Sequence, residues 1–197
     1  MGRPAGTATL EARDRLLRAA RKLFAEKGFA ATAVHEITNE AGVNRALLYY
    51  YFEDKHSLYA AVIDEGIAQF IRMLDGTLAS PGSYVDRLAA FVRGYLELTW
   101  SHPDMCRVMD RCHLDGHQEE FRLMEKFAAG MARLEGFFRD GVAAGEFRAV
   151  DPAIAARSFI GPMFMLVRWR MTEGERFSRE KLAAEVTAQL LDGFRAR

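Results

Sequence analysis

The chain has 197 residues, 50% of them hydrophobic, enough to bury one or two small cores; its 27 basic and 27 acidic residues cancel and give no global sign of a polyanionic partner. Two cysteines and no apolar N-terminal run predict a reduced, cytoplasmic protein without a signal peptide, and no stretch approaches the roughly 20 apolar residues of a membrane span. Strand-like alternation, internal repeats and phosphate-binding glycine loops are absent, so the sequence reads as all-α.

In chain order, residues 1–8 have loop composition, and Arg3 sits in what reads as a mobile arm rather than a minor-groove contact. A first helix is expected from about residue 10 to 27, with Leu16, Leu17, Ala20, Leu23 and Phe24 inward and Gly28 as its stop. Arg15, Arg18 and Lys22 share the opposite face, as a solvated face or as a phosphate contact. Val34, Ile37 and Ala41 then recur at helical spacing. Gly42 supplies a C-terminal cap, and Asn44 can cap a second short helix over about 45–52.

On that helix Leu48 and Phe52 are four apart and face the core, leaving Arg45, Ala46, Leu47, Tyr49 and Tyr50 on the solvent side. Tyr49, Tyr50 and Tyr51 cannot all face one core, because consecutive residues lie about 100° apart. The pattern is a helix-turn-helix whose second helix can enter a major groove. Arg45 suits a bidentate pair of bonds to guanine, while Ala46 and Leu47 suit thymine methyls. The tyrosine hydroxyls and Lys55 suit phosphate oxygens.

This stretch resembles the DNA-binding domain of the TetR family of transcriptional regulators. The matching features are Gly28-Phe29, Thr32, Ile37, Ala41-Gly42-Val43, the block Leu48 to Phe52, Lys55 and Leu58, across roughly the first 60 residues. Thr38 stands where that family usually has Ala, and Leu47 where a small polar residue is common. With the resemblance, Thr32, His35 and Asn44 join Arg45, Ala46, Leu47, the three tyrosines and Lys55 as expected DNA contacts. It implies a homodimer on a palindromic DNA operator, repression as the usual mode, and a second helical domain holding a small-molecule effector.

Lys55 opens a long helix to about residue 78, read as a mechanical link with the domain boundary inside or just before it: 1–54 for DNA, 55–197 for effector and dimer. After the loop 79–82, Ser83 caps a helix with Val85, Leu88, Val92, Tyr95, Leu96 and Thr99 on one face. His102-Pro103 breaks the chain again. Cys106, Cys112, His102, His113 and His117 then cluster, which raises a metal or redox site as the alternative, although their spacing fits no zinc motif. Further helices are expected over about 118–144, after Asp151-Pro152 with a kink at Gly161-Pro162, and from about 178.

The last two helices carry apolar residues over more than one face, so Phe159, Met163, Val167, Val186, Leu190 and Phe194 are expected at the dimer interface. Phe70, Met73, Phe91, Tyr95, Trp100, Met105, Met109, Met124, Phe127, Met131 and Phe164 are expected to line a pocket for an apolar or aromatic effector. No catalytic constellation or cofactor motif is present, so neither an enzyme nor a cofactor is expected.

Overall fold

The computed structural model describes residues 5–114, 122–174 and 177–194, with side chains from residue 11 onward and without those of residues 123 and 124. Its regular elements are helices: α1 (Ala5–Ala31), α2 (Val34–Ala41), α3 (Arg45–Tyr51), α4 (Lys55–Leu78), α5 (Tyr84–Ser101), α6 (Pro103–Leu114), α7 (Leu123–Ala143), α8 (Pro152–Glu173) and α9 (Arg179–Phe194). Several starts are fixed by a side chain that satisfies free backbone N–H groups. Asn44 Oδ1 accepts from Leu47 N at 2.8 Å, Ser83 Oγ from Asp86 N at 3.1 Å, and Asp151 Oδ1 from Ala153 N at 2.9 Å and Ile154 N at 3.0 Å.

Some boundaries differ from expectation, each for a local reason. Gly28 has φ 82° and ψ 171°, so it breaks α1 as anticipated, but the chain resumes helical turns to Ala31. Phe52 is extended, which ends α3 one residue early. Pro103 does more than interrupt the chain: it opens α6, where its missing N–H costs nothing in the first turn. α8 continues through Pro162. The predicted start of the 118–144 helix lies outside the described residues.

The chain forms two compact units, one holding the chain to Gly66 together with α6 from Asp104, the other running from Ile67 to Pro103 and from Arg122 onward. The division falls inside α4, twelve residues beyond the sequence-based boundary, and returns α6 to the first unit. Tyr59 shows why. Its ring meets Phe24 edge-on at 4.8 Å and Phe29 at 5.0 Å, and its hydroxyl donates to the Val108 carbonyl of α6 at 3.4 Å. The first turns of α4 are thus core to the unit that carries α3, with Leu58, Val62 and Ile63 buried beside Leu16, Phe24, Ile37 and Leu48. In the second unit α7 packs on α8 and α5 on α9.

Candidate nucleic-acid interface

The α2–α3 turn is built as the residues predict. Gly42 adopts φ 63° and ψ 42°, a left-handed conformation that costs little only without a Cβ. It lets Gly42 N donate to Asn39 O at 3.2 Å and Val43 N to Thr38 O at 3.0 Å, satisfying the carbonyls at the end of α2. At the other end of α2, Ala33 N donates to Glu36 Oε2 at 2.9 Å. The bond from the Lys27 ammonium, then that from Ala33 N–H, holds the Glu36 carboxyl below its ordinary pKa. Thr38 is buried, and its hydroxyl donates to His35 O at 3.0 Å, so this departure from the usual Ala leaves no polar atom unsatisfied.

The outward arc of α3 is open. Leu48 and Phe52 are buried, whereas Asn44, Arg45, Ala46 and Tyr49 are exposed and Tyr50 is 73% exposed. Leu47 and Tyr51 are half-buried, and His35 on α2 is exposed. Arg45 is not a loose cation. Its Nη2 donates to Tyr49 Oη at 3.0 Å and its guanidinium lies 5.3 Å from the centre of that ring. One turn of helix therefore presents an oriented guanidinium beside a methyl and two phenols.

Two residues of the expected DNA-contact set are hydrogen-bonded inside the unit. Thr32 is 1% exposed, and its hydroxyl donates to Gly28 O at 2.7 Å and Leu23 O at 3.3 Å. Lys55 Nζ donates to Phe29 O at 2.8 Å, Thr32 O at 3.0 Å and Ala30 O at 3.4 Å, and stands over the Phe29 ring at 4.5 Å. The reason is the break at Gly28. It orphans carbonyls at the end of α1, and a hydroxyl and an ammonium supply the missing donors.

In the second unit the structure gathers part of the expected effector lining. Phe70 meets Phe91 and Tyr95 at 6.2 Å each and Phe127 at 5.8 Å, while Phe164 meets Tyr95 at 6.0 Å and Phe127 at 6.1 Å. Phe91 and Tyr95 are buried, Phe127 is half-buried and Phe164 is exposed, so the cluster has one edge at the surface. Met73 and Met131 are half-buried on α4 and α7. Met105 and Met109 belong to the other unit, where Met105 packs against Gly66. The Met124 side chain lies outside the described residues.

The residues expected at the dimer interface pack largely inside the single chain. Phe159 is 0% exposed, and Met163, Val167, Val186 and Phe194 are also buried within a single chain, with Leu190 half-buried. Phe159 packs against Phe91 at 5.4 Å and Phe138 at 5.9 Å, and Phe194 against Phe138 at 5.0 Å. That stripe is the face α8 and α9 turn toward the core of the second unit. Besides Phe164, the large apolar residues left outside on α8 are Ile154 at 67% and Met165 at 64%, with Pro162 between them. Of the Cys/His cluster, Cys106 is half-buried and Cys112 buried on α6, His117 lies outside the described residues, and among those described no three metal-ligating side chains converge.

The family profile described as "Bacterial regulatory proteins, tetR family" matches residues 16–62, and the profile described as "Tetracyclin repressor-like, C-terminal domain" matches residues 81–194. The chain belongs to the TetR family. It is a DNA-binding transcriptional regulator and not an enzyme. The transcriptional repressor KstR2 of Rhodococcus jostii is 29% identical over 188 residues, covering 92% of this chain and 90% of that protein. The repressor NicS of Pseudomonas putida is 28% identical over 145 residues, 66% of this chain and 67% of its own. Among solved structures, FadR from Bacillus subtilis in complex with stearoyl-CoA matches with a TM-score of 0.80 at 22% identity, over 91% of this chain and 98% of that one. The ketosteroid regulator KstR2 of Mycobacterium tuberculosis matches at 0.76 and 22%, over 94% and 95%.

Within this TetR-family chain one buried residue was missed by sequence reasoning. Arg170 lies 3.8 Å over the Trp100 ring, and its Nη2 donates to Thr99 O at 3.0 Å. It fixes the indole that was expected to line the pocket. The signal was present, since Arg170 continues the inward stripe of Phe159, Met163 and Val167 at helical spacing. Among the described residues, no helix of this TetR-family protein is long and apolar enough to cross a membrane.

Proposed function

We propose that this TetR-family protein is a homodimeric repressor that reads a palindromic operator through α3 and leaves it when an apolar or aromatic small molecule binds the second unit. The observation that carries the reading is the exposed Arg45–Ala46–Tyr49–Tyr50 arc on a capped helix, with Arg45 oriented by Tyr49. A guanidinium held in that way suits the O6 and N7 atoms of guanine, and the phenols suit the flanking phosphates. One seven-residue helix reads only a few base pairs, so a two-fold pair is needed for a selective site.

The pairing face is the outer side of α8, where Ile154, Pro162 and Met165 recur at helical spacing, beside the exposed Ala184 and Ala188 of α9. The effector site is the aromatic cluster of Phe70, Tyr95, Phe127 and Phe164, entered at its exposed edge. Elongated apolar molecules of the acyl or steroid kind, named for FadR and KstR2, suit such a lining. α4 contributes Phe70 to that cluster and Tyr59 to the core beneath α3, so a shift of this one helix couples the two sites. By linkage, bound operator weakens the effector by the same factor.

Selection from a random duplex pool tests the reading. An enriched palindrome bound by two copies supports it; sequence-blind binding at every salt concentration removes it. Replacing Ile154 and Met165 with Glu converts dimer to monomer in light scattering with the melting temperature of the protomer retained, if the pairing face is assigned correctly.

A further inference from the structure

The cations of α1 fall into two kinds. Arg13 lies 5.6 Å from the Phe52 ring centre, Arg21 pairs with Glu65 at 3.8 Å, Lys22 with Glu40 at 2.6 Å, and Lys27 with Glu36. Arg15 and Arg18 are exposed, and neither has a carboxylate within ion-pair distance among the described residues. Three residues apart on a helix, they share one side. With Ala19, Lys22, Glu40 and Ala41 they line a groove of about 300 Å³ between α1 and the end of α2. The two alanines leave its floor open. Glu40 offsets Lys22, so the rim keeps the two guanidinium charges.

The place of the groove matters more than its size. Ala41 is four residues before Arg45, so the chain separates them by at most about 14 Å, and one face of the groove sits at the α2–α3 turn. A helix in a major groove about 12 Å wide lies between two phosphate strands. Arg15 and Arg18 line the same groove as Ala41, so they stand on the side of the α2–α3 turn from which a bordering strand can be reached. Their planar fork fits phosphate oxygens bidentately, and they lack the internal partners that occupy Thr32 and Lys55.

We propose that this groove seats a DNA backbone phosphate beside the bases read by α3, with Arg15 and Arg18 as its donors and Glu40 restraining Lys22. The inference rests on the DNA-reading function of α3, but its readout is separate. Each neutralised phosphate changes the slope of log affinity against log salt by about 0.9. Arg15→Gln with Arg18→Gln is expected to flatten the slope by about 0.9 per bound subunit, the share of the one phosphate they hold together, with base preference unchanged. Glu40→Gln frees Lys22 and is expected to steepen it by about 0.9. Arg15→Lys with Arg18→Lys retains the charges and restores the slope, which separates loss of contact from loss of fold.

Identical slopes in the wild type and both Gln variants would overturn the proposal and make the groove an ordinary solvated face. A changed base preference in the Arg15/Arg18 variant would overturn it too, since a phosphate contact carries no sequence information. The slope is readable on any duplex. A wild type that binds without preference therefore sinks the function of α3 while the groove is still decided.

Discussion

The two units use their aromatic residues in opposite ways. On α3 Tyr49 and Tyr50 stand outside a helix of seven residues, where one phenol orients Arg45 and the other rests edge-on against Tyr51 with most of its surface in solvent. In the second unit Phe70, Phe91, Tyr95, Phe127 and Phe164 meet mostly edge to face, with only Phe164 exposed. An aromatic outside a small capped helix has a polar atom to offer a partner, and a buried cluster has only surface and adaptability. The first arrangement suits recognition of a fixed polyanion; the second suits an apolar molecule that must displace side chains.

The largest effect is expected at Phe159. If α8 turns this ring into its own subunit, Phe159→Ala costs the folded chain about 3–5 kcal/mol, read as a lower denaturant midpoint. A ring that served only the dimer would instead lower assembly and leave the midpoint alone. Next comes Lys55, whose ammonium is bonded to the carbonyls at the end of α1. Lys55→Met is expected to destabilise the chain by about 1–3 kcal/mol in thermal melts, with the salt slope of DNA binding unchanged. A flattened slope with normal stability would return Lys55 to the phosphate contacts.

Arg45→Ala acts on recognition rather than stability. It is expected to lose about 1–3 kcal/mol of discrimination at one base pair of each half-site, with the melting temperature unmoved. Tyr49→Phe keeps the ring and removes the bond to Arg45, so it should relax the same base position by a smaller factor. The smallest effect concerns Asp54. The Ser57 N–H donates to Asp54 Oδ1 at 2.7 Å and lowers the pKa of that carboxyl. Its folded pKa lies below the unfolded value of about 3.9, so its contribution is complete above that pH and is lost as pH falls through the folded value. Asp54→Asn should flatten the acid limb of the stability profile slightly.

Legibility followed the range of the interactions. Asn44, Ser83 and Asp151 act on N–H groups two or three residues away, and each cap was readable from residue type and spacing. Gly42 was readable for the same reason, since a turn between two short apolar stripes requires its left-handed φ. The seven or eight residues of α2 and α3 also sort inward and outward by period alone. Tyr59 and Val108 are 49 residues apart, however, and nothing in either neighbourhood announces their bond or the return of α6 to the first unit.

The sequence by itself determined an all-helical TetR-family chain, the capped turn, and the outward arc of α3, because periodicity and capping are decided within one or two turns of backbone. Only the tertiary structure decided that Thr32 and Lys55 close the broken end of α1, that the compact units part at Gly66, and that Phe159 and Phe194 face inward while Ile154 and Met165 do not. Those outcomes depend on which distant helix covers a given apolar stripe or orphaned carbonyl. A helix with two apolar sides satisfies the same local rules whichever side is covered.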